Sequence, residues 1–180
     1  MLIASALAGV LIATGPASAS APSTDTARNG ALVSHQSDDG WMPVNYQPYD
    51  VPAGNRCDFP VHVDFIRDEV MYKVLETYPD GSPKREAYTG DLIIRYTNKD
   101  TGVSHDGDAS GDAVIDYFQD GSQTWYVRGP VSVGVGEDNG NIPRGIWIID
   151  GVFKLEFSPE FDKTLTMYKG TKHNICEEID

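Results

Sequence analysis

From residue 60 onward, apolar and polar side chains alternate. Val61, Val63 and Phe65 share one face of an extended chain, with His62, Asp64 and Ile66 on the other. A period of two is the mark of a β-strand with one buried face. Residues 70–78 continue extended, and Pro79-Asp80-Gly81-Ser82-Pro83 reads as a turn. Beyond it, Leu92, Ile94 and Tyr96 alternate with Ile93, Arg95 and Thr97, and Ala113, Ile115 and Tyr117 alternate with Val114, Asp116 and Phe118. Trp125 and Val127 lead into Val131, Val133 and Val135, and a loop over 137–144 precedes a strand over 145–150. Phe153, Leu155 and Phe157 give the most regular alternation, and Leu165 and Met167 mark a last strand running toward Cys176. No amphipathic helix of useful length is evident.

The turns recur near residues 80, 100, 120, 140 and 160. Asn98-Lys99-Asp100-Thr101-Gly102 and Gln119-Asp120-Gly121-Ser122 have Asx chemistry with a glycine able to take positive φ. Folding the chain about successive turns brings Gly90 opposite Gly111, Gly111 opposite Gly129, Gly129 opposite Gly151, and Gly151 opposite Gly170. A column of glycines across neighbouring strands predicts a sheet bent along one line. The expected architecture is all-β: an antiparallel up-and-down meander of six long bent strands closing into a barrel. If turns also fall at the glycines, the strands are shorter and number eight or more, up to ten or twelve.

Composition fits a turn-rich β protein of one domain, with 18 Gly and 11 Pro in 180 residues. The net charge of −13 argues against nucleic acid or an anionic membrane as partner. Leu2 to Ala13 is an apolar run too short to span a bilayer. The following Ala17-Ser18-Ala19 fits secretory cleavage after Ala19, although no Lys or Arg precedes Arg28. The expected organisation is a signal peptide over 1–19, a flexible leader over 20–50 and one β domain over 51–180, secreted to the outside. An even pair of cysteines in an exported chain, Cys57 and Cys176, predicts a disulfide over a catalytic thiol or a two-cysteine metal site. Its loop exceeds a hundred residues, worth roughly 4–5 kcal/mol on the chain-entropy model. Cys57 begins the first long strand and Cys176 ends the sixth, so the bond makes those strands neighbours and closes the barrel. The implied stagger gives six strands a tilt of about 42°, inside the barrel range.

Tyr49-Asp50-Val51-Pro52-Ala53-Gly54 and Cys57-Asp58-Phe59-Pro60-Val61 are followed by Tyr96-Thr97-Asn98, Thr101-Gly102, Ser110-Gly111, Asp120-Gly121-Ser122 and the late Cys176. In their order and spacing these markers resemble a family of small secreted proteins from high-GC Gram-positive bacteria, over residues 49–180. The resemblance implies export, paired cysteines and an all-β domain, and it carries no catalytic residue over. Where such proteins have an apolar or Thr-rich strand, this chain has His105-Asp106-Gly107-Asp108-Ala109, a departure that argues against a standard strand there.

Candidate chemistry is sparse. Asp106, Asp108, Ser110, Gly111 and Asp112 imitate the front half of an EF-hand calcium loop, but the twelfth position is Tyr117 instead of Glu. The competing reading is a polar hairpin arm in which Asp106 faces Arg95. His62 is expected opposite Thr171 and near His173, a two-histidine arrangement weighed against plain exposed strand residues. Trp125, Tyr126 and Trp147 are expected in the core before a sugar platform. Asp64, Asp68 and Glu69 read as solvent-facing charges. The expectation is a secreted, non-catalytic β-barrel acting by binding or surface interaction, without an organic cofactor. Two alternatives stand beside it: a small-barrel isomerase or cyclase acting on a small apolar molecule, and a calcium-dependent extracellular module. Strand count separates the first from the leading reading, because a barrel of six strands is filled by its own side chains whereas eight or more could hold a ligand. A calcium thermal shift separates the second.

Overall fold

The computed structural model describes residues 39–180. The expected signal peptide and residues 20–38 of the expected leader lie outside the described residues. The chain forms β1 (Met42–Pro43), β2 (Tyr49–Val51), β3 (Val61–Asp68), β4 (Met71–Thr77), β5 (Pro83–Thr89), β6 (Leu92–Asn98), β7 (Ser104–Asp108), β8 (Asp112–Tyr117), β9 (Gln123–Arg128), β10 (Val131–Val135), β11 (Gly145–Phe157), β12 (Lys163–Asn174) and α1 (Ile175–Glu178). One sheet runs β1-β4-β5-β8-β9-β11-β10, with β12 also on β11; the other runs β2-β3-β6-β7. Every ladder between these strands is antiparallel.

Three of the expected long strands are divided between the two sheets, β9 and β10 both lie in the larger sheet, and β11 and β12 run unbroken for 13 and 12 residues. β5 and β6 belong to different sheets, as do β3 and β4, and β7 and β8. The registers follow from the turns: Arg95 faces Asp106, Asp112 faces Arg128, Val152 faces Arg128, and Gly151 faces Gly170. At the bend the backbones come too close for side chains. Gly129 N donates to Gly151 O at 2.8 Å, and a Cβ on Gly111 would sit 2.5 Å from Pro130 O. Gly90 is crowded in the same way at the β3–β4 corner, where a Cβ would lie 2.2 Å from Glu69 O. At Gly90 and Gly111 the chain leaves one layer and enters the other, whereas Gly129 separates two strands of the same sheet and Gly151 lies within β11.

No closed barrel is found. Among the described residues no ladder joins β12 to β3, because the edge of β3 is taken by β2, with Tyr49 opposite Val63 and Val51 opposite Val61. β1 pairs with β4 in the other sheet. Part of the expected leader is therefore built into both sheets; its two- and three-residue strands are too short to show an alternation. Thr171 faces Asp150 on β11 and not His62. The bond between Cys57 and Cys176 is present, with Cα atoms 5.4 Å apart. It ties the start of the β3 segment to α1, a single turn that the periodicity did not predict. Asn174 caps this turn, its side chain accepting from Cys176 N at 3.2 Å. β7 is a strand despite its polar sequence. Its charged Asp106 and Asp108 point outward, and Gly107 meets the other layer, where a Cβ would come within 3.0 Å of the Ile148 side chain.

Two cores share one wall. Val61, Val63, Ile94 and Tyr96 pack with Ile146, Ile148 and the two α1-end residues Ile175 and Ile179. The opposite face of β11 carries Trp147, Ile149, Phe153 and Leu155 into a second core with Val127, Val133 and Val135. Residues 145–149 are consequently buried on both faces. No helix among the described residues is long and apolar enough to cross a membrane.

Candidate ligand-binding site between the sheets

Where the bent strands diverge, the layers leave a cavity of about 460 Å³. Ligand pockets commonly enclose about 300–1,000 Å³. The four-stranded sheet contributes Phe65, Ile94 and Tyr96, and the larger sheet contributes Tyr88, Ile115, Tyr117 and Trp125. The space exists because the chain from β7 into β8 turns small residues inward. Ala109, Gly111 and Ala113 occupy alternate positions along the cavity wall. Larger residues there would fill the gap at ordinary core density.

One side of the cavity is covered by the segment that joins β1 to β2. Tyr46 stacks on Phe65 with centroids 4.9 Å apart, and Tyr49 lies 6.3 Å from the same ring. Tyr46 N donates to Asp68 Oδ2 at 3.0 Å, and Val44 N donates to Val70 O at 2.8 Å, so the cover is pinned to the β3–β4 corner.

The polar groups are few and grouped. Glu86, 6% exposed, accepts from Tyr88 Oη at 2.7 Å and from Tyr117 Oη at 2.8 Å. The two hydroxyls are 3.4 Å apart. Burial pushes the Tyr117 phenol up to about 12, with its bonds to Tyr88 and Glu86 as opposing lesser causes. The Tyr88 phenol is also raised, first by burial and then by its bonds to Tyr117 and Glu86. Both therefore stay protonated as donors at neutral pH. Elsewhere in the wall, Tyr96 Oη donates to Ser132 Oγ at 2.6 Å. The site is an apolar, aromatic chamber with hydrogen-bonding groups at two places in its wall.

This group was not anticipated from the sequence. Its signals are the i, i+2 pair Glu86 and Tyr88, which places an acid beside a phenol on one face of a strand, and the alternate small residues 109, 111 and 113. The anticipated residues lie elsewhere. Asp106 accepts two bonds from Arg95, both 2.7 Å. Asp108 accepts from Ser110 N at 2.9 Å, and Asp112 accepts from Thr89 Oγ1 at 2.6 Å. The three carboxylates do not converge on one point among the described residues. His62 Nδ1 lies 2.7 Å from Asp50 Oδ1, apart from His173. Trp125 packs with its ring centroid 4.8 Å from that of Phe157 and Trp147 is core, whereas Tyr126 is half exposed, so these three rings do not share one platform.

No known protein family, curated protein or solved structure matches the chain.

Proposed function

We propose that this protein is a secreted, non-catalytic binding protein that holds a small, largely apolar molecule in the chamber between its sheets. The aromatic cavity with its few polar groups carries the reading. Apolar walls supply affinity through surface removed from water, at roughly 25 cal/mol per Å². Tyr88 and Tyr117, whose protons go to Glu86, offer their phenol oxygens as acceptors to a ligand hydroxyl, and Tyr46 with Tyr49 covers it. Export is supported by the disulfide and by the small-residue sequence ending at Ala19. The description as six long bent strands of a barrel-like wall belongs to the same reading, supported by the turn-set registers that continue from one half-strand to the next.

The test uses an apolar fluorescent probe, 1-anilinonaphthalene-8-sulfonate, with the folded protein. Saturable enhancement is expected at one site per chain. Ala109→Leu and Ala113→Leu fill the chamber and should abolish it without lowering the melting temperature. No saturable binding, or binding unaffected by both variants, overturns the reading. The alternative, an isomerase or cyclase acting on an apolar molecule, is favoured by Glu86 behind the two phenols. Turnover of a bound compound that Glu86→Gln abolishes while binding persists would select it.

A further inference from the structure

A second cluster lies away from this chamber, at the rim where the two sheets meet α1. His105 stands opposite Tyr96 on β7 and shares its inward face. His173 stands opposite Ile148 on β12, on the face that meets the same core. Two imidazoles from different sheets thus point to one seam. Glu178 reaches between them from the last residue of α1. Its Oε2 is 2.8 Å from His105 Nδ1, and its Oε1 is 3.7 Å from His173 Nε2. The rings are 6.4 Å apart and set edge to face. Among the described residues this is the one group of three or more His, Cys, Asp or Glu whose ligand atoms all come within 4.8 Å of one another.

We propose that His105, His173 and Glu178 bind a divalent ion of the zinc class. Two imidazole nitrogens and one carboxylate oxygen suit zinc and its first-row neighbours, whereas calcium and magnesium prefer all-oxygen sets. A tetrahedral zinc with bonds of about 2.0–2.1 Å places its ligand atoms roughly 3.3–3.4 Å apart. Closing the observed spread to that calls for side-chain rotation, for which the partial exposure of all three side chains leaves room. Solvent reaches the fourth position, which water fills.

The backbone under the cluster is fixed in advance. Cys176, two residues before Glu178, is bonded to Cys57. Ile179, the next residue, is fully buried, and its carbonyl accepts from Asn98 Nδ2 at 2.9 Å. Glu178 is thereby held at the seam before any ion arrives. The ion would join β7, the edge of the four-stranded sheet, to β12 and α1, where no ladder runs. Binding to the native state alone raises its stability.

The test is calorimetry and thermal melting of the full chain, freed of metal with a chelator and titrated with zinc chloride. One saturable zinc site and a rise in melting temperature are expected, with no comparable rise from magnesium or calcium. His105→Gln and His173→Gln should each weaken zinc binding about tenfold or more and suppress the thermal shift. Glu178→Gln keeps the size of the side chain and both histidines and should do the same. Cobalt(II) visible absorption from a low-coordinate nitrogen and oxygen site should appear in the parent and vanish in the histidine variants. Absence of saturable zinc binding overturns the proposal, and so does zinc binding unchanged in both histidine variants.

Discussion

Gly151 on β11 and Gly170 on β12 face each other across the ladder, and neither strand leaves room for a side chain at that point. A Cβ on Gly151 would lie 2.0 Å from Lys169 O, and one on Gly170 would lie 2.0 Å from Asp150 O. Their φ angles are 142° and 138°, values that L side chains rarely adopt. Gly151→Val should therefore cost more than the ~1 kcal/mol of strand propensity. With backbone strain included, a loss of roughly 3 kcal/mol is expected, a fall in melting temperature on the order of 10 °C. Gly111→Val isolates the clash with Pro130 O, since Gly111 has no positive φ. Circular-dichroism melts check both, and unchanged midpoints would refute the crowded bend.

The disulfide spans 119 residues. Replacing both cysteines by serine should cost about 2–5 kcal/mol. The loss should appear as a lower midpoint in urea, and it should free α1 first, since Cys176 sits within that single turn. Unaltered amide exchange at Ile175 and Ile179 in the double variant would contradict this.

Alkaline pH should unfold the protein through its cavity phenols. The folded pKa of Tyr117 is raised from 10.0 to about 12, and that of Tyr88 is raised as well. The unfolded chain thus loses these protons first. The Tyr117 contribution is complete below pH 10 and is lost as pH rises through about 12, and that of Tyr88 is likewise lost only at alkaline pH. Tyrosinate absorbance and circular dichroism should change together in that window. Tyr117→Phe should flatten the alkaline fall while costing about 1 kcal/mol at neutral pH, because Glu86 loses one of its donors.

Calcium at about 1 mM, within the weak extracellular range, should leave the parent protein's melting temperature unchanged. Asp106 is engaged by both Arg95 nitrogens and would have to leave them to bind an ion. A saturable calcium heat abolished by Asp108→Ala would refute this.

Much of the pairing was legible because the turns set it. Asn98 and Gly102 close one hairpin, with Gly102 N donating to Asn98 O at 2.8 Å, and from that point Arg95 must face Asp106. Period two then assigns each residue a face. It does not say which layer a face meets, so the assignment of β3 and β4, β5 and β6, and β7 and β8 to different sheets was not visible. The capture of the β3 edge by residues 49–51 was hidden for a related reason: three residues carry no period. The cavity was missed because Glu86 and Tyr88 read as an ordinary acid and aromatic on a strand. Only the fold brings Tyr117 to the same carboxylate. The convergence of His105 and His173 likewise depends on how two sheets meet, which spacing along one chain cannot express.

Residues 145–149 of β11 are the wall common to both cores. Ile148 cannot leave the first without Ile149 leaving the second, since alternate residues of one short segment serve each. Neither half can therefore melt alone, and amide exchange at Ile146, Ile148 and Ile149 should proceed only through global opening, with the slowest rates in the chain. Away from its termini, a molecule that opens only as a whole presents proteases with no half-unfolded form to cut, so its lifetime follows the population of the fully open state.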